Sequence, residues 1–202
     1  MFNVIRLIHT TQRDRLLAAV REATAEIPLA LAEPTLPGSR NGGDILVQIR
    51  FDDETLWKTV EPELDAVIDD ASVTHVDGVT YRGSPVVSER TPGTVFRALL
   101  VRVWPETDGA TVARFEDDLR LLTRYVSTIT EWQLSPVESA VGASVWTHVF
   151  SQRFTDVDGL VGPYLMHPIH WAHVDRWFDP ECPGYIVRDR VCHSFCAMPA
   201  PH

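Results

Sequence analysis

Trp146-Thr147-His148-Val149-Phe150-Ser151-Gln152-Arg153-Phe154, followed by Asp158-Gly159-Leu160 and then Tyr164-Leu165-Met166-His167-Pro168-Ile169-His170, is the stretch on which the fold turns. Residues 144–153 read as a strand. Val145, Thr147 and Val149 would share one face, and Trp146, His148 and Phe150 the other. Residues 157–177 read as helical segments. Pro168 suits the first position of a helix, where its missing N–H would have no partner anyway. That makes His167 the expected N-cap and puts His170 in the first turn.

Working outward, 95–104 reads as a strand. Residues 111–126 read as a helix, with Val112, Phe115, Leu119 and Leu122 on one face. Strands are expected at 128–135 and 185–195. The order of this half is β-α-β-β-α-β, the split β-α-β arrangement of a ferredoxin-like module. The first half fits the same order. It has strands at 4–8, 44–51 and 73–82, room for another near Leu29, and helices at 13–27 and 54–71. Pro28 ends the first helix, and Pro62 is expected to kink or split the second. Gly83, Pro85, Pro92 and Gly93 punctuate the stretch between the halves. The expected division is 1–84, a linker at 85–93, and 94–202. The fold class is α+β. A four-stranded sheet with helices on one face leaves its other face bare, and two such sheets can bury those faces against each other as a barrel. One chain carrying both halves can do this alone; pairing with a second chain is the alternative, and a homodimer stays open.

The bulk composition sets limits. The chain has 202 residues, 45% hydrophobic and 23% charged, which is ordinary for a globular protein. Its formal net charge is −10, and Lys58 is its single lysine. No basic cluster is present to neutralise phosphates or to attract a lipid surface, so neither a nucleic acid nor a membrane is an expected partner. No apolar run approaches the length of a membrane span, and the start lacks the flanks of a signal peptide. The expected location is cytoplasmic. Cys182, Cys192 and Cys196 all lie near the end of the chain and are expected as free thiols. A zinc site from Cys192, His193 and Cys196 would lack a second pair of ligands.

The strand, the acidic turn and the Tyr-x-x-His-Pro-x-His run of 164–170 resemble the stress-responsive A/B barrel domain, or Dabb, family. The motif lies within 146–170, and the pattern extends over 95–196. The first half matches in pattern alone; at the corresponding place it has Leu56-Trp57-Lys58-Thr59-Val60-Glu61-Pro62-Glu63, with no histidine. The resemblance implies a ferredoxin-like fold of the dimeric α+β barrel kind, fused here into one chain. It also implies a range of activities. One is a plant polyketide cyclase that closes a linear polyketide acid by aldol condensation without a cofactor. By that resemblance Tyr164 and His170 would act on the substrate. Wider relatives include cofactor-free and haem-binding monooxygenases and decarboxylases.

The residues allow that chemistry. A helix N-terminus disfavours imidazolium, so His170 would be a neutral base suited to taking a proton next to a carbonyl. Tyr164 could donate to a developing enolate oxygen. His167, His148, Arg97 and Trp146 are the candidate substrate-binding residues. Arg97 and Arg102 point to opposite faces of their strand, so one of them can meet an anion, and Arg6 is the counterpart in the first half. Neither a metal nor another cofactor is expected. The metal alternative rests on His167, His170 and His173, which lie within one arc of a helix, with Asp175 or His148 to complete a set. The expected function is a small-molecule enzyme of the cyclase or lyase type, acting on a polyketide-like or aromatic carbonyl compound. A non-catalytic, stress-associated ligand-binding protein and a cofactor-free or haem-type monooxygenase are the alternatives.

Overall fold

The computed structural model describes residues 1–89 and 91–199. The end of the expected second unit, 200–202, and Arg90 in the expected linker lie outside the described residues. The first half runs β1 (Phe2–Thr10), α1 (Arg13–Ala23), β2 (Ala30–Pro34), β3 (Ile45–Phe51), α2 (Glu54–Ile68) and β4 (Val73–Arg82). A two-residue strand follows, β5 (Val86–Val87). The second half runs β6 (Val95–Val101), α3 (Gly109–Tyr125), β7 (Ile129–Pro136), β8 (Ser139–Val141), β9 (His148–Phe154) and β10 (Cys192–Ala197). Short helical turns fill the space between β9 and β10. Asp53 caps α2 by accepting from Thr55 N–H, and Asp108 caps α3 through Thr111 N–H. Pro62 lies within α2, which runs on unbroken past it.

Two antiparallel five-stranded sheets result, ordered β2-β3-β1-β4-β8 and β10-β6-β9-β7-β5. Within each half the four long strands follow the same spatial order, which is the ferredoxin-like α+β arrangement. The fifth strand of each sheet comes from beyond that half's own four. β8 pairs with β4, and β5 pairs with Trp132 and Glu131 of β7.

Side chains alternate across each strand, and the alternation sorts the core into three layers. Phe2, Val4 and Ile8 of β1 pack under α1 and α2. Ile5 and Leu7 point the other way and meet Phe96, Ala98 and Leu100 of β6, with Tyr81, Trp146 and Val149. This layer joins the two sheets within one chain. Val95, Leu99, Phe150, Phe154 and Phe195 face the other side of the second sheet, where α3 and the helical turns cover them. An ion pair between Arg50 of β3 and Glu131 of β7, 2.6 Å apart and largely buried, ties the halves together. The loop after β2 seals one seam, where Leu36 N–H donates to Phe195 O and Arg40 N–H donates to His193 O.

Three sequence expectations are corrected. The strand expected at 144–153 begins only at His148, so Trp146 does not share its face. Trp146 lies between the sheets while His148 turns toward α3. The strand expected at 185–195 begins at Cys192. Ile186 and Val187 instead donate their N–H groups to Trp177 O and pack beneath it. Residues 157–177 form no single regular helix: π turns at Leu160–Tyr164 and His170–Val174 are joined by a break around His167. Pro163 and Pro168 cannot donate to an α ladder, so the chain cannot hold one regular α-helix through this stretch.

Candidate active site

The site is built on the helix-facing side of the second sheet. β6 and β9 pair with Arg97 opposite Gln152, and β6 and β10 pair with Phe195 opposite Arg97. Arg97 is therefore flanked on both sides and is only 4% exposed. Its Nη1 donates to Gln152 Oε1 and, over 3.0 Å, to Tyr164 Oη. The guanidinium also sits 5.0 Å from the centre of the Tyr164 ring. Tyr164 reaches down to the sheet from the end of the first π turn and packs edge-on against Phe154.

His170 opens the second π turn. Its ring stands edge-on to Tyr164, with centroids 5.4 Å apart. Its Nδ1 lies 2.9 Å from Asp175 Oδ1, and among the described residues no hydrogen bond to Nε2 is found. Burial lowers the pKa of His170; Asp175 opposes that shift, and the nearby Arg97 charge adds to it. Burial raises the pKa of the Tyr164 phenol, with Arg97 pulling against it. At neutral pH the site thus holds a neutral imidazole, with one nitrogen tied to a carboxylate, beside a protonated phenol.

These side chains line one cavity of about 290 Å³ between the second sheet and its helical cover. Leu99, Leu119, Val174 and Phe178 form its apolar wall. Arg40 and Gly38 approach from the first half, in the loop after β2. Gly38 has φ +96°, and a Cβ there would lie 3.3 Å from Phe195, so glycine suits this turn over the sheet. His193 of β10 completes the wall. Its pKa is pushed down to about 2, first by burial and then by the charges of Arg97 and His170, and among the described residues its Nε2 has no partner.

Arg97, Tyr164 and His170 are thus brought together. The other sequence candidates lie elsewhere. His148 is buried against Phe115, with its Nε2 3.3 Å from Glu116 Oε1 and its Nδ1 2.8 Å from Thr147 Oγ1. Trp146 is sealed between the sheets. His167 accepts from Ile169 N–H through Nδ1, the capping role expected of it, and does not line the cavity. Arg102 pairs with Asp189 at the surface. The sequence reading missed Arg40, His193 and Gln152 as cavity neighbours, and it weighed Asp175 only as a metal ligand.

The metal alternative meets a geometric obstacle. His170 is engaged by Asp175, His173 lies 3.4 Å from Asp118, and His167 caps its own turn, so the three rings serve different partners. Among the described residues no group of three His, Cys, Asp or Glu is arranged to hold an ion. Cys192 and Cys196 face the layer between the sheets while His193 faces the cavity, so strand alternation separates them. The cavity, about 290 Å³, lies near the lower end of the roughly 300–1,000 Å³ of small-ligand sites. Among the described residues no helix is long and apolar enough to cross a membrane.

Residues 95–192 match the profile of the stress responsive A/B barrel domain. No curated protein matches the chain. Among solved structures, an anthrone oxidase-like protein is similar, with a TM-score of 0.68 at 10% identity, covering 98% of this chain and 91% of that one. A proposed monooxygenase of Fusobacterium nucleatum gives 0.64 at 9% identity, covering 98% and 92%. A variant of the chlorite dismutase of Candidatus Nitrospira defluvii gives 0.56 at 9% identity, covering 98% and 91%. At these identities the likeness is one of fold.

Proposed function

We propose that this chain, whose residues 95–192 are a stress responsive A/B barrel domain, is a small-molecule enzyme that removes a proton from carbon beside a carbonyl group. The observation that carries this reading is the state of His170: neutral through burial, held at Nδ1 by Asp175, and facing Tyr164 with Nε2 unbonded among the described residues. An Nδ1–H donated to Asp175 leaves the Nε2 lone pair as the base. Tyr164 Oη accepts from Arg97 and also meets the Gln152 side chain; in this reading its proton turns to the carbonyl oxygen of a bound substrate. As that oxygen gains charge, the phenol and the guanidinium behind it stabilise the enolate.

The finer reading is an aldol ring closure on a polyketide-like or aromatic carbonyl compound. His170 takes the α proton, the enolate carbon bonds to a second carbonyl carbon, and His170 returns the proton to the new alkoxide. The step needs neither oxidant nor reductant. Fold likeness to an anthrone oxidase-like protein keeps an oxygenase reading in view. Carbanion formation is common to both, and the geometry supports that shared step.

The test is to incubate the purified protein with linear 3,5,7-trioxo acids, in which the C2 enolate can bond to the C7 carbonyl carbon and close a six-membered ring, and to look for the ring-closed product by chromatography and mass spectrometry. Ring closure that is lost in His170→Ala supports the cyclase reading. Ring closure that is unchanged in His170→Ala removes it.

A further inference from the structure

The chain buries two arginines in similar settings, and the contrast between them locates a missing charge. Arg6, on the helix-facing side of β1, lies 5.3 Å from the centre of the Trp57 ring and 3.9 Å from the Glu61 carboxylate. Its Nη1 donates to the carbonyls of Ile5 and Val79. Arg97 also stacks on an aromatic ring, but its bonded neighbours, Gln152 and Tyr164, are both neutral. Among the described residues its buried Nε has no hydrogen-bond partner and no carboxylate pairs with it. A guanidinium buried without a counter-charge is costly, and its remaining donors are suited to a planar two-oxygen anion.

The cavity itself does not supply that anion. Asp175, its one lining carboxylate, is held by His170. A second arginine, the exposed Arg40, lines the cavity from the other half of the chain, and no ion pair or side-chain hydrogen bond engages it among the described residues. The backbone of Arg40 is fixed on β10, where it both donates to and accepts from His193. Two arginines, one buried and one exposed, thus line a small cavity with a largely apolar wall, in a chain of net charge −10.

We propose that the cavity takes a small unsaturated or aromatic monocarboxylate, with its carboxylate held between Arg97 and Arg40 and its carbon frame against Leu99, Leu119, Val174 and Phe178. This rests on the same cavity as the acid–base reading and names the class of molecule that enters it. It also gives the first half a substrate-binding residue. Arg40 fixes the charged end while Tyr164 and His170 meet the carbonyl end.

The test is calorimetric titration of the full chain with benzoate and with its neutral counterpart benzamide. Benzoate is expected to bind about tenfold or more tightly than benzamide, as a charge-assisted hydrogen bond implies, with a preference that shrinks at high salt. Arg40→Gln should remove most of the preference without lowering the melting temperature. Arg97→Lys, which keeps the charge and loses the fork, should weaken benzoate as well. Equal binding of the two probes overturns the inference, and so does a preference that survives Arg40→Gln. The wild-type protein's solvent deuterium exchange into a neutral 1,3-diketone separates the two readings. Exchange without a benzoate preference leaves the acid–base reading standing and removes this one; a benzoate preference without exchange does the reverse.

Discussion

His170 Nδ1 lies 2.9 Å from Asp175 Oδ1, within the run of turns that carries His170 out over the sheet. The carboxylate half-faces solvent, so it orients the ring at little burial cost. Asp175→Asn should keep the fold and lose the preference for the tautomer with Nε2 free. Turnover is expected to fall about 10- to 100-fold, the usual effect of removing an orienting partner, with circular dichroism and melting temperature nearly unchanged.

The pH profile follows from the direction of the His170 shift. Activity needs the neutral ring, so it should rise with pH through the folded-state pKa. Burial puts that pKa below the ordinary value near 6.5, so activity reaches a plateau by neutral pH. Asp175 pulls the pKa upward, so Asp175→Asn should move the acid limb to lower pH still. Nitrogen-15 NMR on histidine-labelled protein reads the same titration directly. A His170 ring still cationic at pH 7 contradicts the assignment.

Tyr164→Phe removes the donor and keeps the ring. One lost oxyanion donor costs roughly 10²- to 10³-fold in turnover. Arg97 also loses an acceptor, so stability should fall by about 1–3 kcal/mol. Comparing kcat with the urea midpoint separates the two losses.

Stability should also depend on pH through His193. Its folded-state pKa is pushed down to about 2, against about 6.5 in the unfolded chain. The unfolded state therefore binds a proton across that window and the folded state does not. The contribution is fully present above pH 6.5 and is lost as pH falls, by about 1.4 kcal/mol per pH unit from this one ring. Urea midpoints at pH 7 and pH 5 check it, and His193→Gln should flatten the slope.

Much of the fold was legible because β1, β3 and β6 are short, mostly apolar runs buried on both faces, while α1 and α3 repeat apolar residues at helical spacing along one buried face. The pattern failed where an apolar run is buried for another reason. Ile186 and Val187 look like strand residues but pack as a loop under Trp177. Trp146 was given the wrong face because the chain is irregular until His148. The site was legible in part. Tyr164 and His170 sit in a motif, and Arg97 is a charged residue in an otherwise apolar strand. Arg40 and His193 could not be found in the same way. They meet through an isolated bridge between a loop of one half and the last strand of the other, and no local spacing encodes that meeting.

Glu131 tests the joining of the halves. It pairs with Arg50 at 2.6 Å and lies 3.5 Å from Arg153. Glu131→Gln would leave two largely buried guanidiniums without a carboxylate. A loss of about 3–5 kcal/mol is expected, as an earlier midpoint in urea for both halves together. Two separate transitions would speak against one shared core.

The most direct test is the rate of solvent deuterium incorporation into an aryl 1,3-diketone, followed by proton NMR. The wild-type protein should exchange the α protons faster than buffer alone, by the roughly 10²- to 10⁴-fold that a positioned base supplies. His170→Gln, with its fold intact, should bring the rate back to that of buffer. His170→Gln exchanging as fast as the wild type would contradict His170 as the base.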